Sequence, residues 1–180
     1  LALFSHRRLR EKPPSGGISV LSQSIPLDDE MVEASVRLLT AIGWTGVAMV
    51  EFKRDIRDSR PKLMEINGRF WGSLQLAIDC GVDFPALLVE YMQGNMPRQI
   101  IKEYRTSHKL KWFLGTLDHL ILRLRNNDAE LNLPPGFPSK SRSIMDFLRI
   151  WERDTTFDVI DRRDMMPVIL ELWEYVKHLV

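Results

Sequence analysis

The stretch Leu63-Met64-Glu65-Ile66-Asn67-Gly68-Arg69 decides how this chain is read, once Glu51 on the preceding apolar run is set beside it. Thr45 to Phe52 (TGVAMVEF) is β-branched and apolar, and Lys62 to Ile66 (KLMEI) is mainly apolar. Between them runs the polar segment Lys53 to Pro61 (KRDIRDSRP). Two short apolar runs flanking a polar loop predict a β-hairpin. A midpoint near Asp58 puts Glu51 opposite Glu65. Side chains alternate along a strand, so Glu65, Asn67 and Arg69 share one face while Met64 and Ile66 turn to the core.

Like charges directly opposed across two strands repel, and a cation between them reverses that repulsion. Glu51, Glu65 and the amide oxygen of Asn67 form an all-oxygen donor set, which suits Mg²⁺ (or Mn²⁺) rather than Zn²⁺. Magnesium completes its shell with water and substrate phosphates. Arg69 then fits a phosphate oxygen or the oxyanion of a reacting acyl phosphate. For an isolated E-x-N-x-R, an exposed hairpin with scattered charges is the better reading. Here a second acid sits in the predicted partner strand, and a distinctive segment follows.

That segment widens the pattern. Gly46 to Lys53 (GVAMVEFK), Leu63 to Ser73 (LMEINGRFWGS), Leu76-Ala77 and Gly81 to Pro85 (GVDFP) resemble the carboxylate–amine ligase-like proteins of the ATP-grasp superfamily. Phe4 to Glu11 (FSHRRLRE), with Pro13-Pro14 and Gly16-Gly17, looks like the entry strand of the same C-terminal lobe. The resemblance covers the first half of the chain. It implies a ligase: ATP phosphorylates a carboxylate, an amine attacks the acyl phosphate, and ADP and phosphate leave. Carried over by position, Glu51, Glu65 and Asn67 are metal ligands and nucleotide contacts. Arg69 stabilises the transferred phosphoryl group or the tetrahedral intermediate. His6, Arg8 and Arg10 share a strand face; the resemblance puts Arg8 and Arg10 near phosphates or a carboxylate substrate and His6 near the ribose. Such chemistry is positioning plus electrostatics, which suits a site with no nucleophile.

The resemblance also sets expectations for what accompanies the chain. ATP-grasp enzymes clasp ATP between two lobes, so the expected partners are missing N-terminal ATP-grasp lobes, ATP, and small carboxylate and amine substrates. A homo-oligomer is left open. Two rival readings stand beside the ligase: a bicarbonate-using ATP-grasp enzyme, and a non-catalytic nucleotide-binding or subunit-interaction module.

The chain has 180 residues, enough for one core with an appended part. A net charge of +1 argues against nucleic-acid binding across the whole surface. The single cysteine, Cys80, excludes an intramolecular disulfide and a multi-cysteine zinc site, and its apolar segment predicts a buried residue. Neither a leader nor a membrane span is visible, so a cytoplasmic location is expected.

The expected fold class is α+β: the C-terminal lobe of an ATP-grasp fold over residues 1–95, a mainly antiparallel sheet with packed helices. A helical extension over 96–180 follows, interrupted by a Pro-rich linker at 131–143. Strands are predicted at 1–10 and 18–25, with a glycine turn between them. Helices are predicted at 28–42, opened by Asp28-Asp29-Glu30 and stopped by Gly43, at 73–80 with Ser73 as cap, and at 85–92. The extension is read as helices at 107–125, 144–152 and 167–179. His119 and Arg123 are placed on the outer face of the first of these, and Asp158, Asp161 and Asp164 in a solvated turn.

Overall fold

The computed structural model describes residues 1–95, 100–149 and 152–177. In chain order these form β1 (His6–Lys12), β2 (Ile18–Ser24), α1 (Asp29–Ala41), β3 (Met49–Arg54), β4 (Pro61–Asn67), α2 (Leu74–Asp79) and α3 (Phe84–Met92). Then come β5 (Lys109–Lys111), α4 (Phe113–Arg125), α5 (Lys140–Leu148), β6 (Thr155–Phe157) and α6 (Met166–Lys177). The architecture is α+β, as expected, with a mixed four-stranded sheet ordered β1-β2-β5-β6 and a separate two-stranded sheet, β3-β4. No helix among the described residues is long and apolar enough to cross a membrane. The chain groups into two compact units, Leu1–Arg7 with Ser24–Ser107, and Arg8–Gln23 with His108–Val180.

The first unit follows its local signals closely. The Asp28 carboxylate accepts from the Met31 N–H at 3.1 Å and caps α1, whose first turn carries Asp29 and Glu30 against the helix dipole. Asp83 caps α3 in the same way, accepting from the Ala86 N–H at 3.0 Å. Gly43 and Gly81 end α1 and α2 at positive φ, +63° and +98°. Leu76, Ala77, Cys80 and Val82 are buried with Trp71, and burial pushes the Cys80 thiol pKa up. Tyr104 ties the ends of the unit together. Its hydroxyl donates to the Ile25 carbonyl at 2.6 Å and accepts from the Ser5 N–H at 3.1 Å. Ser107 N–H donates to the Ser24 carbonyl at 2.9 Å.

In the second unit, β2 and β5 pair antiparallel with Leu21 opposite Lys111 and Gln23 opposite Lys109. β5 and β6 pair parallel. Val20, Leu21, Leu110, Leu114 and Leu120 are buried. The continuous helix predicted over 107–125 is corrected here. Ser107 has φ +66°, Lys109–Lys111 are extended, and the helix begins at Phe113. Three residues carry too little periodicity to declare a strand; the pairing on both edges decides it. Helix α5 starts at Lys140, inside the predicted linker, because the Ser139 hydroxyl caps it by accepting from the Arg142 N–H at 3.3 Å. The strand predicted from Leu1 starts at His6; before it, Ala2 makes only an isolated bridge to Ile101. Parts of the predicted helices at 144–152 and 167–179 lie outside the described residues.

Candidate functional site

The hairpin forms with the register that the site requires. Glu51 pairs with Glu65, Met49 with Asn67 and Val50 with Ile66. A bulge after Glu51 shifts the register so that Phe52 faces Leu63, leaving Met64 as the extra residue. Paired residues share a face in an antiparallel ladder, so Glu51, Glu65 and Asn67 lie together on one side of the sheet. Asn67 Nδ2 donates to Glu65 Oε1 at 2.8 Å, which fixes the amide beside the carboxylate and identifies Oδ1 as the atom that a cation would take.

Two expectations about this hairpin are corrected. Met64 was expected in the core but is 55% exposed, because it sits at the bulge of a two-stranded sheet. Strand β4 ends at Asn67, so Arg69 leaves the alternation, and its guanidinium donates to the Phe70 carbonyl at 3.1 Å.

What braces the hairpin was not read from the sequence. A Cβ on Gly68 would lie 2.3 Å from Cη2 and 2.5 Å from Cζ2 of Trp44. The indole therefore lies flush on the backbone between Asn67 and Arg69, with its Nε1 donating to the Val47 carbonyl at 3.3 Å. At the far end, Arg54 pairs with Asp28, the cap of α1, and bonds the Ser59 carbonyl across the loop. The signal available was a tryptophan just before β3 and a glycine in the middle of the E-x-N-x-R stretch.

His6 lies in the same unit, half-buried. Its ring stacks between Phe4 (centroids 6.0 Å) and Trp71 (6.4 Å), and its Nε2 meets the Ser73 hydroxyl at 3.1 Å. Ser73 occupies the N-cap of α2 but makes no side-chain cap bond, so the expected cap is corrected: the hydroxyl serves His6 instead. Trp71 Nε1 is buried with no hydrogen-bond partner.

Arg8 and Arg10 belong to the second unit, on the inward face of β1. Arg8 bonds Glu11 at 3.0 Å and the Gly17 carbonyl at 3.1 Å, and Arg10 pairs with Asp146 at 3.1 Å. Gly16 adopts φ +131° in a turn, and a Cβ on Gly17 would lie 2.3 Å from the Lys12 carbonyl oxygen. This is a tight turn rather than an anion cradle. Arg8, Arg10, His119, Ser143 and Asp146 line a cleft of ≈ 140 Å³.

His119 and Arg123, expected on an outer face, are 5% and 1% exposed, which corrects that placement. Acceptors from other elements draw them in. His119 Nδ1 donates to the Glu11 carbonyl at 2.7 Å, and Arg123 bonds Asp128 at 2.6 Å and the Pro138 carbonyl at 3.1 Å. Burial lowers the His119 pKa, against the pull of the Glu11 bond, with Arg10 and Arg123 adding to the fall. Asp161 and Asp164 accept backbone bonds from Arg163 and Met166, as a solvated turn requires. Among the described residues no three His, Cys, Asp or Glu side chains gather as a metal site. The hairpin candidate holds two carboxylates and an amide.

The comparison with known families places this α+β chain in the ATP-grasp superfamily. The family described as ATP-grasp in the biosynthetic pathway with Ter operon matches residues 7–115, more than half of the chain, and the chain belongs to it. This places it among ATP-binding, ATP-dependent ligases in general. No curated protein and no solved structure matches the chain significantly.

Proposed function

We propose that this chain supplies the metal-bearing part of an ATP- and Mg²⁺-dependent ligase that joins a carboxylate to an amine through an acyl phosphate. The observation that carries the reading is the register of β3 and β4, which sets Glu51 against Glu65 with Asn67 beside it. Opposed carboxylates are unfavourable without a cation between them, and this donor set is hard oxygen throughout. The residues present therefore fit Mg²⁺ or Mn²⁺. When bound, the ion neutralises charge on the nucleotide phosphates.

The chain's own side chains do the rest. Glu51, Glu65 and Asn67 would hold the ion. Arg69, released from the Phe70 carbonyl, places its guanidinium on the transferring phosphoryl group and then on the oxyanion formed when the amine attacks. The carboxylate oxygen attacks the γ-phosphorus and ADP leaves. The amine nitrogen then attacks the acyl carbon, phosphate leaves with the bonding electrons, and the nitrogen loses a proton. His6 is held by Ser73 and Trp71 for a nucleotide contact, and Arg8 and Arg10 serve an anionic group of nucleotide or substrate.

The test is ADP release by the complete enzyme. Glu65→Gln and Asn67→Ala are each expected to abolish it while far-UV circular dichroism stays unchanged. Unchanged turnover in both variants rejects the metal assignment. The variants are informative about function because Glu65 is exposed and neither side chain contributes to a buried core.

A further inference from the structure

Helix α6 is mounted with its polar side inward. Glu171 accepts from Trp112 Nε1 at 2.5 Å, Tyr175 donates to Asp118, and Val168 is half-buried beside them. These three positions fall on one side of a helical wheel. Burial and the Asp118 bond push the Tyr175 phenol up to about 12, so the contact stays protonated and intact at neutral pH. On the opposite side Met166, Ile169, Leu170, Trp173 and Val176 each leave more than half of their surface exposed, and Leu172 extends the face. An amphipathic helix ordinarily turns this stripe to its own core. The charged groups of α6 outside the inward side are Glu174 and Lys177, which pair with each other at 2.8 Å, and the Lys177 ammonium lies over the Trp173 ring at 5.0 Å, its stem adding apolar surface to the face.

We propose that this face is a homodimer interface, covered by α6 of a second copy of the chain in an antiparallel pair about a two-fold axis. The spacing of the apolar positions is the first argument. Met166 and Val176, and Ile169 and Trp173, lie symmetrically about position 171 and within one face of the helix. A two-fold axis near that position sets each residue of a pair against the other from the second copy, which is the self-complementarity that an isologous contact needs. Trp173 then meets Ile169 and Met166 meets Val176, large against smaller, as interdigitating helices require.

Area is the second argument. With aromatic side chains carrying ~150–250 Å² and aliphatic ones less, the face presents roughly 600 Å² of apolar surface, the upper end of what a monomer exposes as one patch. Pairing two such faces buries on the order of 1,000 Å² in total, the lower bound for a specific interface and well above most adventitious contacts. The helix is ~18 Å long, enough for three contact layers.

The test is the mass of the full chain in solution, by light scattering and sedimentation, up to roughly 100 µM. A species of twice 21.0 kDa is expected. Trp173→Glu is expected to weaken it by about 100-fold or more with unchanged circular dichroism, because α6 docks on its own unit through the other side. A second variant keeps the proposal falsifiable if that one misfolds. Ile169→Cys with Trp173→Cys, in a Cys80→Ser background, is expected to yield a disulfide-linked dimer on mild oxidation. A 21.0 kDa species at the highest concentration overturns the proposal. So does a dimer that survives Trp173→Glu, or one that the paired cysteines fail to cross-link. A monomer that co-sediments with phosphatidylcholine–phosphatidylglycerol vesicles would also overturn it, assigning the face to lipid.

Discussion

Gly68 matters through the residue it touches. Its missing Cβ leaves room for the Trp44 ring, which holds the end of β4 where Asn67 stops the strand and Arg69 begins the turn. Gly68→Ala is expected to push the indole outward, breaking its bond to the Val47 carbonyl. Because Trp44 is partly exposed, it can move, and the stability cost is held to about 1–2 kcal/mol. The effect on ADP formation is expected to be larger, about tenfold or more, since a displacement near 1 Å at positioning residues is enough. Trp44→Ala should restore activity to the Gly68→Ala chain. A double-mutant cycle with no coupling between the two positions would show that the contact does not position the site.

His119 makes a pH prediction at the same scale. Its pKa is lowered in the fold, so between that value and the ordinary ~6.5 the unfolded chain binds the proton and the folded chain does not. Its contribution is therefore complete above ~6.5 and is lost as pH falls below it. The urea midpoint of the wild-type chain is expected to drop between pH 7.5 and 5.5, and His119→Gln is expected to flatten that dependence. Equal slopes for both chains would remove His119 as the cause.

Among the elements, α4 is the most dependent on one close approach. A Cβ on Gly115 would lie 2.2 Å from Cε3 of Trp112, the residue whose Nε1 holds Glu171 of α6. Alanine favours a helix by up to ~1 kcal/mol over glycine. The clash is expected to outweigh this, giving a net loss of ~1–3 kcal/mol in urea unfolding. A stabilised Gly115→Ala chain would show that Trp112 has room to turn.

The elements also show what a sequence can disclose. β3, β4, α1 and α3 were legible because their signals are local: a polar loop between apolar runs, Asp28 and Pro85 at helix starts, Gly43 after one. The pairing of Glu51 with Glu65 was legible only on the condition that the loop turns near Asp58, and the structure meets it. β5 and β6 were not legible, since each has three residues and exists through partners far along the chain, Leu21 for Lys111 and Thr155 for Lys109. The buried Lys111 illustrates the difficulty. Its ammonium lies over the Phe147 ring, and burial lowers its pKa, with Arg10 adding to the fall. Nothing in K-L-K announces that environment. His119 and Arg123 turn inward for the same kind of reason, because carbonyls of Glu11 and Pro138 await them. The brace of Trp44 on Gly68 joins positions 24 apart, beyond any periodicity.

At the scale of the whole molecule, the α6 pairing predicts a thermal midpoint that rises with chain concentration, because association stabilises the folded state by mass action. Trp173→Glu should make the midpoint independent of concentration.

The bond between Ser24 and Ser107 has a consequence for the gene. Residues 24–107 depart at the end of β2 and return at the start of β5, and these strands are antiparallel neighbours with Gln23 opposite Lys109. The hairpin-bearing unit is thus a cassette carried in a loop of the sheet-bearing unit. Excising residues 25–107, with residues 1–5, and joining Ser24 to His108 through Asn-Gly converts two long-range strands into an ordinary hairpin. That shortened chain is expected to melt cooperatively with the second unit's β-content. Exchange of one module for another between Ser24 and His108 would leave every strand of the host sheet unbroken.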